Sequence, residues 1–114
     1  MHELGIVFRI IEQVEEVCAE NELHSVASVT LEVGEVSTVV GSYLTDCWSW
    51  AVQKTQALKG AELKIEGVPA FTICNDCGKS YRTVEYGRTC PFCSSERTRL
   101  VSGNEVIIKE IEAR

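Results

Sequence analysis

Hydrophobic residues recur at offsets of three and four through the first stretch of the chain: Leu4, Val7, Ile11, Val14 and Cys18, flanked by Phe8, Ile10 and Val17. This spacing puts an apolar stripe on one face of a helix and leaves Glu12, Gln13, Glu15 and Glu16 on the wet face. The pattern ends at Glu20, Asn21 and Glu22. From 26 to 33 the period drops to two. Ala27, Val29, Leu31 and Val33 alternate with Ser28, Thr30 and Glu32, which predicts a half-buried strand that Gly34 closes. Within 43–58, Leu44, Cys47, Trp48, Ala51 and Val52 restore the helical period. Ser37 and Ser42 are candidate caps for this second helix, and Lys59 with Gly60 suits its C-terminus. A second alternating run sets Ala61, Leu63 and Ile65 against Glu62, Lys64 and Glu66 until Gly67 and Pro69 break it. Residues 70–98 show little periodicity and hold four cysteines, after which Val106, Ile107, Ile108 and Ile111 give a last run of strand length.

These elements predict an α+β fold. A small, mostly antiparallel three-stranded sheet is covered on one face by two helices, and a four-cysteine, zinc-ribbon-like domain is inserted before the last strand. The body would take residues 1–69 and 101–114, and the inserted domain residues 70–100.

Composition narrows the function. At 114 residues, 45% hydrophobic and 25% charged, the chain has the makeup of a globular domain and not of a disordered one. No apolar run approaches the ~20 residues of a membrane span. The opening Met1-His2-Glu3-Leu4 carries an acid at position three and no small-residue cleavage site, so we expect no signal peptide and a cytoplasmic location. Seventeen acids against eleven Lys and Arg give a net charge of −6, which leaves no basic surplus for a nucleic-acid partner. Six cysteines in a reducing compartment point to metal more than to disulfides.

Four of those cysteines are arranged as Cys74-Asn75-Asp76-Cys77 and Cys90-Pro91-Phe92-Cys93. Two such knuckles set four thiolates around a tetrahedron, which suits zinc. Lys79, Arg82, Arg88, Arg97 and Arg99 lie in the same segment and can offset the negative centre. With all four positions filled by protein, no site is open for a catalytic water, so the zinc is structural. A rubredoxin-like iron carrier is the rival, because Cys77-Gly78 and Cys90-Pro91 resemble its knuckles; rubredoxins, however, space them more widely and lack a helical body. Gly78-Lys79-Ser80 imitates the end of a phosphate-binding loop, but Ile73 stands where its first glycine belongs.

A second constellation opens the chain. The Met1 amine, the deprotonated His2 amide and the His2 imidazole can close adjacent chelate rings, with the Glu3 amide or carboxylate at hand for a further position. Nickel and copper prefer such planar nitrogen sets. His24 reads as a solvent-facing loop residue, Cys18 and Cys47 as small core residues, Trp48 as core and Trp50 as partly exposed. No Ser/His/Asp set and no dinucleotide fingerprint appears, so nothing argues for an enzyme.

Taken in order, several stretches resemble the HypA/HybF family of nickel metallochaperones in hydrogenase maturation. They are Met1-His2-Glu3-Leu4, Leu31-Glu32-Val33-Gly34-Glu35-Val36-Ser37, Gly60-Ala61-Glu62-Leu63, the paired knuckles, and Glu110-Ile111-Glu112. The resemblance runs over essentially the whole chain. It implies Ni(II) as cargo bound through Met1, His2 and Glu3, and structural Zn(II) at Cys74, Cys77, Cys90 and Cys93. It also implies nickel delivery to the [NiFe]-hydrogenase large subunit with a HypB-type GTPase. Some members serve urease maturation, and members exist as monomers and as homodimers. In some members a histidine of the zinc loop joins the nickel site; residues 70–100 here contain none, so the site must complete itself otherwise. The runner-up function is a zinc-ribbon protein–protein adaptor without transition-metal cargo. Phe8, Ile10 and Val17 widen the first stripe beyond a narrow seam, either as core or as surface left for the GTPase.

Overall fold

The computed structural model describes residues 2–114. In chain order it holds helix α1 (His2–Glu20), strand β1 (Val26–Gly34), helix α2 (Gly41–Ala51) running into a 3-10 turn (Val52–Lys54), and strand β2 (Glu62–Val68). Strands β3 (Phe71–Cys74) and β4 (Ser80–Arg82), the short helix α3 (Thr83–Tyr86), and strands β5 (Thr98–Ser102) and β6 (Val106–Ala113) follow. Two three-stranded sheets result, ordered β2-β1-β6 and β4-β3-β5. The fold is α+β, as the periodicities predict. The chain divides into two compact units. One comprises residues up to Glu32, Val39–Glu66 and Ile107–Arg114; the other comprises Val33–Thr38 and Gly67–Val106.

In the first unit α1 buries Ile6, Val7, Ile10, Ile11, Val14 and Cys18. Ile10 is core at 1% exposed, whereas Phe8 is 45% exposed and lies edge-on to Trp50, ring centroids 6.3 Å apart. Leu44, Trp48, Ala51 and Val52 of the second helical stretch, Leu58 after it, and Val29 and Leu31 of β1 are buried as well. Each buried Val, Leu or Ile side chain among them contributes about 1.5–3 kcal/mol by leaving water. The buried Trp48 indole donates its Nε1–H to the Ala61 carbonyl at 2.9 Å, which satisfies its one polar group.

Helix α2 is shorter than its periodicity suggests, and Lys59-Gly60 does not end it. Thr55 leaves the helical region at φ −110° and ψ 151°. Its hydroxyl donates to the Val52 carbonyl and accepts the Leu58 N–H, so a local side chain competes with the helix ladder. Gly60, at φ +79°, turns the chain into β2 instead. Neither Ser37 nor Ser42 caps the start: the N-cap is Val40, without a side-chain cap, and the Ser37 hydroxyl donates to the Gly34 carbonyl.

Terminal hydrogen bonds give the strand directions. Gly34 N–H to Glu105 O and Arg114 N–H to Ser25 O set β6 antiparallel to β1. Val26 N–H to Ala57 O and Glu35 N–H to Val68 O set β2 alongside β1 in the same sense, as a helical crossover requires. Among the described residues, three of the four strand pairs are antiparallel. Strand β1 is central, and this changes its burial: Ser28 and Thr30, placed on the wet face by alternation, are buried. Lys64–Glu112 and Lys109–Glu66 bridge β2 to β6 across it, and Ser28 donates to Glu112.

The second unit is built on β3, which pairs antiparallel with β4 and β5. Its strands run only three to five residues, too short for a two-residue period to show in the sequence. Cys74, Tyr81 and Cys90 form its buried cluster. The Glu35 carboxylate accepts the Ala70 N–H at 2.9 Å and binds Arg82 Nη2 through both oxygens at 3.0 Å. Among the described residues, no helix is long and apolar enough to cross a membrane.

Candidate metal centres

The two knuckles fold alike. Cys74 ends β3, and the chain turns back so that Gly78 N–H bonds Cys74 O at 2.9 Å. In the loop before β5, Ser94 N–H bonds Cys90 O, also at 2.9 Å. Gly78 and Ser94 close these turns at φ +77° and +63°. Positive φ is easy for glycine and uncommon for serine, so the second turn holds Ser94 in a left-handed conformation. Backbone N–H groups then point at sulfur: Cys77 N–H to Cys74 Sγ at 3.5 Å and Phe92 N–H to Cys90 Sγ at 3.4 Å.

The knuckles interleave. Cys74 Sγ lies 3.5 Å from Cys93 Sγ, and Cys77 Sγ 3.7 Å from Cys90 Sγ. All four sulfurs lie within 4.8 Å of one another. A tetrahedral zinc with Zn–S bonds near 2.3 Å needs sulfurs about 3.8 Å apart. The donor set and spacing therefore fit zinc. As free thiols Cys74 and Cys93 do not titrate alike. The Cys77 N–H lowers Cys74 to about 7, helped by the Asp76 N–H and neighbouring thiols against burial. The Ser95 N–H favours the Cys93 thiolate, yet Cys74, burial, Cys90 and Cys77 push it up to about 12. A divalent cation among them removes that mutual penalty.

The cations of this segment are only partly spent on the cluster. Lys79 stands over the Phe92 ring at 4.7 Å, and Arg97 pairs with Asp76 at 3.5 Å, next to Cys77. Asp76 also accepts from Ser95, which ties one knuckle to the other. Arg82 instead faces Glu35, and its buried Nε has no acceptor. Gly78-Lys79-Ser80 belongs to the knuckle and the start of β4, a context unlike a phosphate loop.

At the other candidate site, Met1 lies outside the described residues. His2 opens α1 and is exposed, while Glu3 beside it is buried and its Oε2 accepts the Val40 N–H at 3.3 Å. That bond, then the Glu3 backbone N–H, lowers the Glu3 carboxyl below its ordinary value against the effect of burial. This tie between Glu3 and Val40 carries no signal in the sequence. His24 is exposed, Trp50 is exposed, and Cys47 is half-buried beside Leu4, Asp46 and Trp50. Cys18 is buried, and burial followed by Glu15 pushes its thiol up. Among the described residues, the four cysteines are the set of metal-capable side chains that the fold gathers.

Comparison with known proteins agrees with this geometry. The family profile described as "Hydrogenase/urease nickel incorporation, metallochaperone, hypA" matches residues 1–113. The hydrogenase maturation factor HypA of Geobacter metallireducens is 37% identical over 112 residues, 98% of each chain. The hydrogenase maturation factor HybF of Klebsiella pneumoniae is 32% identical over the same share of both. Among solved structures, that of a HypA protein superposes with a TM-score of 0.78 at 26% identity, covering 100% of this chain and 97% of that one. The nickel metallochaperone HypA from Helicobacter pylori shares the fold, with a TM-score of 0.77 at 23% identity over 97% of this chain and 96% of that one. The chain belongs to the HypA family of hydrogenase/urease nickel-incorporation metallochaperones, which are maturation factors and not enzymes.

Proposed function

We propose that this protein carries Ni(II) at its N-terminus and hands it, with a HypB-type GTPase, to the large subunit of a [NiFe]-hydrogenase in the cytoplasm. Urease maturation is the second client class that the family description supports. The observation that carries the reading is an exposed His2 opening α1 in a chain that matches the nickel-incorporation family from residue 1. The Met1 amine, the His2 amide and imidazole, and Glu3 would bind the ion in a nitrogen-rich set that suits nickel. A site at the end of a helix is anchored by few contacts, so a partner that competes for one donor releases the ion without unfolding the protein. Zinc at Cys74, Cys77, Cys90 and Cys93 would crosslink the second unit and leave no open coordination position. The GTPase supplies the nucleotide chemistry for which this chain has no phosphate loop.

Nickel titration of untagged protein tests the reading. One tight equivalent is expected, lost in His2→Ala and lost again when a tag ahead of Met1 turns the amine into an amide. Zinc content should stay unchanged in both. Nickel affinity should also fall as pH drops, because amine, amide and imidazole coordinate only when deprotonated. Equal binding by tagged and untagged protein would overturn the N-terminal site.

A further inference from the structure

The two knuckles are joined by more than their sulfurs. Cys74 and Cys90 are only 2% and 1% exposed, so close packing in the second unit fixes them. Cys77 and Cys93 reach the surface, where packing holds a side chain less firmly. On that open side the carboxylate of Asp76, next to Cys77, accepts the hydroxyl of Ser95, two residues beyond Cys93. Ser95 commits every polar group it has to the cluster. Its O–H goes to Asp76, its Oγ accepts the Arg97 N–H at 3.0 Å, and its carbonyl accepts the Cys90 N–H at 2.9 Å, while its own N–H favours the Cys93 thiolate. The Asn75 N–H bonds the Arg97 carbonyl at 2.8 Å, so main chain and side chain cross between the knuckles at one place. Ser94, between Cys93 and Ser95, sits at φ +63°, a conformation that a serine keeps only where its surroundings hold it. The Arg97–Asp76 pair adds little, at 3.5 Å and with the Arg97 side chain 78% exposed. The charge-assisted bond from the Ser95 hydroxyl to the Asp76 carboxylate is the stronger tie.

We infer that Asp76 and Ser95 are positioning residues of the four-cysteine centre. Their contact latches Cys77 and Cys93 in place from the solvent side and so sets how fast the metal leaves. The inference rests on the zinc reading above. Zinc release to an excess of the chromogenic chelator pyridylazoresorcinol is followed in wild type, Ser95→Ala, Asp76→Ala, the double variant and Asp76→Asn. Each single Ala variant should release zinc roughly tenfold faster, the low end for losing a support behind a metal ligand. The double variant should be no faster than the faster single one, because both changes remove the same contact. Asp76→Asn keeps an oxygen for the Ser95 hydroxyl to donate to and should recover most of the difference. Co(II) in place of zinc should give one spectrum in all five proteins, since the four sulfurs remain the ligands. Rates that multiply in the double variant, a shifted Co(II) spectrum, or release from Asp76→Asn as fast as from Asp76→Ala overturns the latch. If an Ala variant cannot be isolated with zinc, Asp76→Asn decides: release close to wild type supports the latch, and release tenfold faster overturns it. Wild-type protein that binds no zinc overturns the zinc reading and the latch together. Zinc that leaves wild type and Ser95→Ala at one rate overturns the latch alone.

Discussion

Gly34 and Gly103 lie backbone against backbone: a Cβ on Gly34 would sit 2.2 Å from the Gly103 carbonyl oxygen. Gly103, at φ +93°, would in turn place a Cβ 2.5 Å from Ala70 Cα. The end of β1 and the connections before β3 and after β5 thus meet with no side chain between them. Gly34 N–H to Glu105 O and Val36 N–H to Gly103 O, both 2.8 Å, hold the crossing. Gly34→Ala must push main chain aside. It should cost at least about 2 kcal/mol in urea unfolding, since a rigid neighbour cannot yield as a side chain can. An unchanged midpoint would show that the crossing opens freely.

The four-cysteine centre should be a folding element. Purified protein should hold one colourless zinc; a red iron–thiolate absorbance would favour the rubredoxin-like alternative. Cys74→Ala leaves three ligands and removes the acceptor of the Cys77 N–H. Zinc is then lost, and the β3–β4–β5 sheet should melt, because its buried cluster is little more than Cys74, Tyr81 and Cys90. The core of α1, α2 and β1 should persist by circular dichroism. Zinc retained with an intact sheet would reject the assignment.

Glu35 should make stability depend on acid. The Ala70 N–H, and after it Arg82, hold its carboxyl below the ordinary value of 4.5. A depressed folded value means that the ionised form is the stabilising one. The contribution is complete above the unfolded value and disappears as pH falls through the folded one. Glu35→Gln keeps an acceptor for Ala70 but loses the charge facing Arg82. It should lower the urea midpoint at neutral pH and flatten the fall of stability below about pH 4.5. Parallel pH profiles for wild type and variant would show that the pair contributes nothing.

Phe8 and Ile10 should separate surface from core on α1. Ile10→Ser removes a fully buried side chain and puts a hydroxyl in its place, which should cost about 3–5 kcal/mol. Phe8→Ser loses only an edge contact to Trp50 and a half-exposed ring, so a cost below about 1 kcal/mol is expected. Denaturant unfolding of both decides it. A folded Phe8→Ser that binds nickel yet no longer binds the GTPase would place the docking surface here, and retained binding would remove it.

The sequence by itself determined what is written in neighbouring residues. A helix or strand with one buried face repeats its apolar residues at 3.6 or 2, so α1, β1 and the start of the α2 stripe are legible at a distance of a few positions. Each knuckle is also local, because two cysteines three apart already shape half of a tetrahedron. Only the tertiary structure decided the rest. Ser28 and Thr30 are buried because β1 lies between two strands whose long charged side chains close over it. Phe8 and Ile10 flank the α1 stripe on opposite sides, and where the covering elements end decides which of them stays wet. The start of α2 is closed by Glu3 from 37 residues away, and Arg82 finds Glu35 across 47. A hydrogen bond between such distant positions places no constraint on either one's neighbours, so no local pattern announces it.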